Sequence, residues 1–277
     1  MKELIKGEFY KFFHSKVMIL SFLSIPLLIG LLCNYFLKNN IVISNTKENI
    51  PKFASNISLP YLIIYKEFMV IMSILVIFYV SIFITEELKS GAIRMQSTRG
   101  YSLWNIVFSK AIIISLIIFI DFVVCFILSK IIGSLFFNKV EFAYTFLNYK
   151  KIKGTSAFLY TLKFYGLSYL IIMAMVTFMT FISVISKNKL VTISIGLAIV
   201  IMDIFYTDIV QKLAFLGKIK FETFQYITIN QLQVTGVPSF IANVNNSRKI
   251  ILGVLSAYFI IFSLLTLIYT KKYDYVD

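Results

Sequence analysis

The chain has 277 residues, of which 59% are hydrophobic and only 14% charged, and its mean hydropathy is +0.86. A soluble domain of that length has no core large enough to hide so much apolar surface, and uncharged runs such as 17–37 and 250–270 match the roughly 20 helical residues that cross a bilayer. A net charge of +14 would point to nucleic acid on a soluble protein, but no loop combines a dense basic face with interleaved aromatics, and lysines in loops and at span ends meet anionic lipid headgroups instead.

The composition therefore predicts an all-α membrane protein, a single domain over 1–277 with six transmembrane helices. Residues 1–16 come first. Leu4, Ile5, Phe9, Phe12 and Phe13 fall on one half of a helical wheel, and Glu3, Lys6, Tyr10, Lys11 and His14 mostly on the other, with Glu8 intruding on the apolar edge. That pattern predicts an amphipathic helix lying in the membrane interface. The first span is Val17 to Phe36, with Pro26 and Gly30 inside it. A polar loop covers 37–60. The second span is at least Phe68 to Phe83 and could begin as early as Tyr61. A charged segment, 85–102, separates it from the third span, Ile106 to Leu128. Residues 129–163 form a second loop segment on the far side. The fourth span is Tyr165 to Ile185. "SKNK" at 186–189 permits only a tight hairpin before the fifth span, Leu190 to Tyr206. Residues 207–249 are too greasy for a free loop and too interrupted to cross, which predicts re-entrant or interfacial helices. The sixth span is Ile250 to Tyr269, closed by Lys271 and Lys272.

Six spans put both termini on one side. Twelve of the 27 Lys and Arg fall on that side and 15 opposite, but the twelve are concentrated in about half as many loop residues. The positive-inside rule weights short loops and span ends, so both termini are expected in the cytoplasm, and the protein in the cell membrane.

The segment 85–102 then faces the cytoplasm. Leu88, Ala92 and Met95 are spaced i, i+4, i+7, which predicts one short helix, 86–98, with one apolar stripe. Glu86, Glu87, Lys89, Arg94 and Gln96 surround the stripe. Arg99, Gly100, Tyr101 and Ser102 read as a turn, with Ser102 as N-cap of the third span and Trp104 at headgroup level. The run "EELKSGAIRMQSTRGYSLWNIVFSK" resembles the first cytoplasmic loop of the type-2 ABC export permeases. It has an acidic residue (Glu87), Gly91 followed by the small Ala92, a polar turn from Arg99 to Ser102, and Trp104, Ile106 and Lys110 leading into the next span. The N-terminal "GEFYKFFHSKVMIL" is similar to that family's interfacial elbow helix. "MQST" at 95–98 departs from it, since members often carry a Leu-rich run there. The resemblance implies a permease subunit paired with a second permease subunit, identical or paralogous, and served by two ATP-binding subunits. Helix 86–98 would be the coupling helix, with Glu86, Glu87, Leu88, Gly91, Ala92, Met95 and Arg99 at the ATPase. The chain has no G-x-x-x-x-G-K-[ST] loop, so ATP and Mg²⁺ are expected in the partner and no cofactor in this chain. The cargo expected of such a subunit is amphipathic or hydrophobic, such as an antimicrobial or toxin-like peptide or a drug; sodium or lipid-linked polymer export are alternatives.

Asp121 stands near the middle of the third span, where a carboxylate costs about 2.5–3.5 kcal/mol on insertion scales. Either it lines a transport path or meets another subunit, or it pairs with a Ser, Thr or Lys of another span. Asp203, near one end of the fifth span, can reach the far interface. Lys110, Lys130 and Lys163 can snorkel to headgroups. Cys33 and Cys125 lack CxxC partners, and the chain has a single His, His14, so neither metal ligation nor catalysis is expected of it. An intramembrane enzyme acting on lipids, or a scaffold without transport, are the readings from other classes.

Overall fold

The computed structural model describes residues 2–44, 51–65, 67–98, 100–218, 221–244 and 247–272. It is 83% helical. Six of its helices are long and apolar enough to cross a membrane, the architecture of a multi-pass helical membrane protein.

Helix α1 is Lys2–Phe13 and α2 is Lys16–Ser44. A short α3, Leu59–Tyr65, leads to α4, Glu67–Val80. Here the structure runs on past the minimum expected for the second span. The helix does not stop at Phe83; a π turn, Ser81–Thr85, carries it without a break into α5, Glu86–Ser90. Helix α6 is Ala92–Ser97, and α7, Leu103–Phe136, is the third crossing. Ser102 caps it as expected, its hydroxyl accepting the Asn105 amide at 3.4 Å. Helices α8 (Gly154–Ser186), α9 (Lys189–Phe215) and α13 (Ser247–Lys272) are the remaining crossings. Between the last two lie α10 (Phe221–Phe224), α11 (Ile229–Gln231), a second π turn (Leu232–Gly236) and α12 (Val237–Ala242). The expectation of short helices in 207–249 holds from 221 onward, whereas 207–215 extends α9.

The expected far-side segment of 129–163 shrinks to 137–153, because α7 and α8 each run a further two turns or more. What remains forms a small hairpin, β1 (Ala143–Tyr144) against β2 (Lys151–Ile152), antiparallel, with Ala143 opposite Ile152. The "polar loop" 37–60 is likewise not a free loop. Residues 37–44 are helical, 45–50 lie outside the described residues, and 51–58 are folded in. Asn40 exchanges two hydrogen bonds with the Ala54 backbone at 2.6 and 2.9 Å, and Ser55 and Ser58 are buried. Asn56 accepts the Val140 amide at 3.1 Å. Tyr61 donates to the Tyr144 carbonyl at 3.1 Å and packs edge-on against Phe146 and Tyr160. Buried backbone polar groups need partners where water is scarce, and these loops supply each other's.

The crossings alternate, so two faces can be named. The N-terminal face carries α1, α5–α6, the 186–189 turn and the end of α13. The opposite face carries 51–58, the hairpin and 221–244. The 186–189 turn is the tight hairpin the sequence predicts: Lys187 adopts a left-handed conformation (φ 47°), and Asn188 caps α9 by accepting the Leu190 amide at 3.1 Å. Helix α4 and α8 form the packed centre, while α2, α9 and α13 expose most of their apolar surface. Gly196 lets α9 approach closely; a Cβ there would stand 2.8 Å from Ile77 Cγ1 and Met179 Cε. A hydroxyl cluster ties three crossings at the N-terminal face: Thr85 Oγ1 lies 2.7 Å from Ser183 Oγ and 3.3 Å from Thr192 Oγ1.

Candidate functional site

Helix α1 buries the line Leu4, Glu8 and Phe12, spaced i, i+4, i+8, and so on one face of a helix. Phe12 stacks on Phe83 at 4.0 Å between centroids and meets Tyr79 edge-on at 5.7 Å. Glu8, which looked like a flaw in an apolar edge, sits at the centre of this buried line. Its partner is Lys110, about two turns inside α7.

Lys110 does not snorkel to headgroups, contrary to the sequence expectation. Its side chain is 1% exposed and its Nζ lies 2.5 Å from Glu8 Oε2 and 2.6 Å from Glu87 Oε2. Lys11 bonds the other oxygen of Glu87, and Gln96 Nε2 donates to Glu8 Oε1 at 2.6 Å. Two carboxylates and two ammonium groups thus neutralise one another at the junction of four elements: α1, α5, α6 and α7. A buried charge is tolerated only when paired and hydrogen-bonded, and the two carboxylates meet that requirement for Lys110. Gln96 Oε1 is buried without a hydrogen-bond partner.

This geometry revises the expected stripe. One helix over 86–98 does not form. Gly91 closes α5 in the left-handed region at φ 75°, a conformation that favours glycine, and α6 starts in a new direction. Leu88 and Ile93 are the buried apolar residues of the pair, Ala92 is half-buried, and Met95 points away at 69% exposure. Glu87 faces inward to Lys110 and Lys11 rather than outward. Glu86 does face outward and pairs with Lys189 at 2.7 Å, both side chains being well exposed. Arg99 lies outside the described residues. Glu86, Glu87, Leu88, Gly91, Ala92 and Met95 are thus brought to one short two-helix corner, but with two distinct sides. Leu88, Glu87 and Ile93 anchor it, and Glu86, Lys89, Ser90 and Met95 are presented.

Asp121 is fully buried where α7 meets α4. Tyr79 donates to its Oδ2 at 3.4 Å, and Oδ1 has no hydrogen-bond partner. Its intramolecular partner is a tyrosine, not the Ser, Thr or Lys named in one of the two alternatives for this residue. Asp203 accepts the Asn230 amide at 3.3 Å, tying α9 to α11. Cys33 and Cys125 are buried free thiols. Among the described residues, no three His, Cys, Asp or Glu converge as metal ligands would.

Sequence reasoning missed the Glu8–Lys110–Glu87 constellation. The available signal was a pair of rule-breaking charges, Glu8 on an apolar edge and Lys110 inside an apolar run. Each alone has a local explanation, and only their meeting across 102 positions gives them a joint one.

Residues 15–276, nearly the whole chain, match the family described as a protein of unknown function, DUF2705. The chain belongs to that family. No curated protein matches it significantly.

Proposed function

We propose that this DUF2705 member is the membrane permease subunit of an ATP-driven exporter, worked through the α5–α6 corner by a separate ATP-hydrolysing protein. The observation that carries this reading is the two-sidedness of that corner. Its outer side presents Met95 with Glu86, Lys89 and Ser90, and its inner side is bonded through Glu87 to Lys110 at the start of a crossing. Because α4 runs through the π turn into α5 without interruption, a displacement of the corner moves the second crossing as a lever. Lys110 and Glu8 pass the same displacement to α7 and α1. In this reading α1 is the elbow helix, α5–α6 the coupling element and the N-terminal face cytoplasmic. A second permease subunit completes the transport unit in the cell membrane, two ATPase subunits bind ATP and Mg²⁺, and the cargo is amphipathic or hydrophobic.

The test is co-purification of the chain with the products of its neighbouring genes. An ATPase with a phosphate-binding loop should accompany the wild type and be lost from Met95→Glu. Met95 is exposed, so the charge should leave folding unchanged. A bulky residue at Gly91 should also uncouple the partner, but φ 75° strains any side chain there by roughly 1–2 kcal/mol, so Met95 is the cleaner probe. An undiminished complex in Met95→Glu, or no ATPase with the wild type, would overturn the proposal.

A further inference from the structure

On the opposite face, far from the charge cluster, the first turn of α13 and the outer half of α8 enclose a groove with α12. It holds about 520 Å³ and is walled by Leu167, Leu170, Phe240 and Ile241, with Lys163 and Arg248 at its polar end. None of the residues lining it is acidic, and neither cation has an ion-pair partner among the described residues. Arg248 is held in place by its own Nε, which donates to the Phe240 carbonyl at 2.9 Å, and its guanidinium lies 5.6 Å from the centroid of the Phe240 ring. The terminal nitrogens of the fork are left for another acceptor.

Depth decides what that acceptor is. Helices α8 and α13 run in the same direction, in register through Phe178 and Phe262 at 4.7 Å, and end at Ser186 and Lys272 on the N-terminal face. At about 1.5 Å per residue, Lys163 stands ~35 Å and Arg248 ~36 Å from those ends. A hydrocarbon core is about 30 Å thick. Both cations therefore lie at headgroup level, and Leu167 and Leu170 follow one and two turns deeper, where acyl chains run. Paired cations above an apolar slot open to the bilayer complement one class of molecule: a phospholipid with a net negative headgroup. We infer that this groove is a binding site for an anionic phospholipid, its phosphate between Lys163 and Arg248 and one acyl chain along Leu167 and Leu170. A bound lipid would bridge α8, α12 and α13.

The full chain in detergent is titrated with phosphatidylglycerol, phosphatidylcholine and inorganic phosphate, and bound lipid is counted by native mass spectrometry. One phosphatidylglycerol should bind tightly. Lys163→Gln with Arg248→Gln should weaken it about thirtyfold, the factor that two headgroup cations carry at a membrane surface. Lys130→Gln, which removes a cation that rests over Phe126 and Phe158 elsewhere on the same face, should change nothing. Gly166→Phe provides a second arm that leaves the charges in place. Gly166 lines the groove, and a Cβ there meets nothing within 4 Å, so the ring should fill the acyl slot and abolish lipid binding. Equal binding of phosphatidylcholine, unchanged binding in the double variant, or unchanged binding in Gly166→Phe each overturn the assignment. So does inorganic phosphate bound with the same dependence on both cations, which would make this a simple anion site.

Discussion

Replacing Lys110 with methionine removes the cation shared by Glu8 and Glu87 while keeping most of the side chain's length. Both carboxylate oxygens are within 2.6 Å of the same nitrogen, so they are at most about 5 Å from each other. At an effective dielectric of about 20, two negative charges that close repel by roughly 3 kcal/mol. Breaking a buried ion pair by deleting one partner costs about 3–5 kcal/mol, and the two routes agree on the scale. Lys11 relieves little of this, because it is half-exposed and touches only Glu87. Lys110→Met should therefore lose about 3–5 kcal/mol against unfolding. The assay is denaturant unfolding in detergent, followed by the emission of Trp104, the sole tryptophan, which lies on α7 six positions before Lys110. A triple variant, Glu8→Gln, Glu87→Gln and Lys110→Met, separates charge imbalance from lost packing. Replacing a whole buried ion network with neutral groups is often neutral or better, so the triple variant should recover to within about 1–2 kcal/mol of the wild type. The reasoning fails if Lys110→Met is as stable as the wild type, or if the triple variant is no better than the single one.

Two further predictions concern the crossings. Gly196→Ala places a methyl group against Ile77 and Met179 and should cost about 1–3 kcal/mol by overpacking. Gly253→Ala in α13, where a Cβ meets nothing within 4 Å, should be neutral or stabilising by about 0.5–1 kcal/mol as alanine replaces a mid-helix glycine; equal losses at both sites, read by the same unfolding assay, would contradict the close approach of α9 to α4. Asp121→Asn keeps an oxygen to accept the Tyr79 hydroxyl and removes a carboxyl whose second oxygen is partnerless. Its melting temperature should equal or exceed that of the wild type, and a fall of several degrees would show that the carboxyl itself fastens α7 to α4.

The legibility of this protein follows the range of the physics involved. The six crossings can be read from local composition, because a bilayer-spanning helix is specified by some twenty neighbouring residues. Ser102 and Asn188 were readable as a cap and a tight-turn residue for the same reason: a cap acts within three positions. Helix ends were set too short at α7, α8 and α9. These helices continue beyond the hydrocarbon into segments whose polar residues are satisfied by other loops, as Asn148 is by the Ala242 carbonyl at 3.5 Å. At Gly91 the periodic stripe of Leu88, Ala92 and Met95 suggested one helix. A left-handed glycine broke it, and which of those side chains is buried then depended on where α7 and α1 lie.

Composition alone determined that this chain lives in a bilayer as a helical bundle, since that conclusion needs only the transfer free energy of each run of residues. The partner of each buried charge was decided by the tertiary fold. Glu8, Glu87 and Lys110 are 79 and 23 positions apart along the chain, and no local preference brings them together. They meet because desolvated charges must find opposite charges wherever packing allows, and packing is a property of the whole bundle.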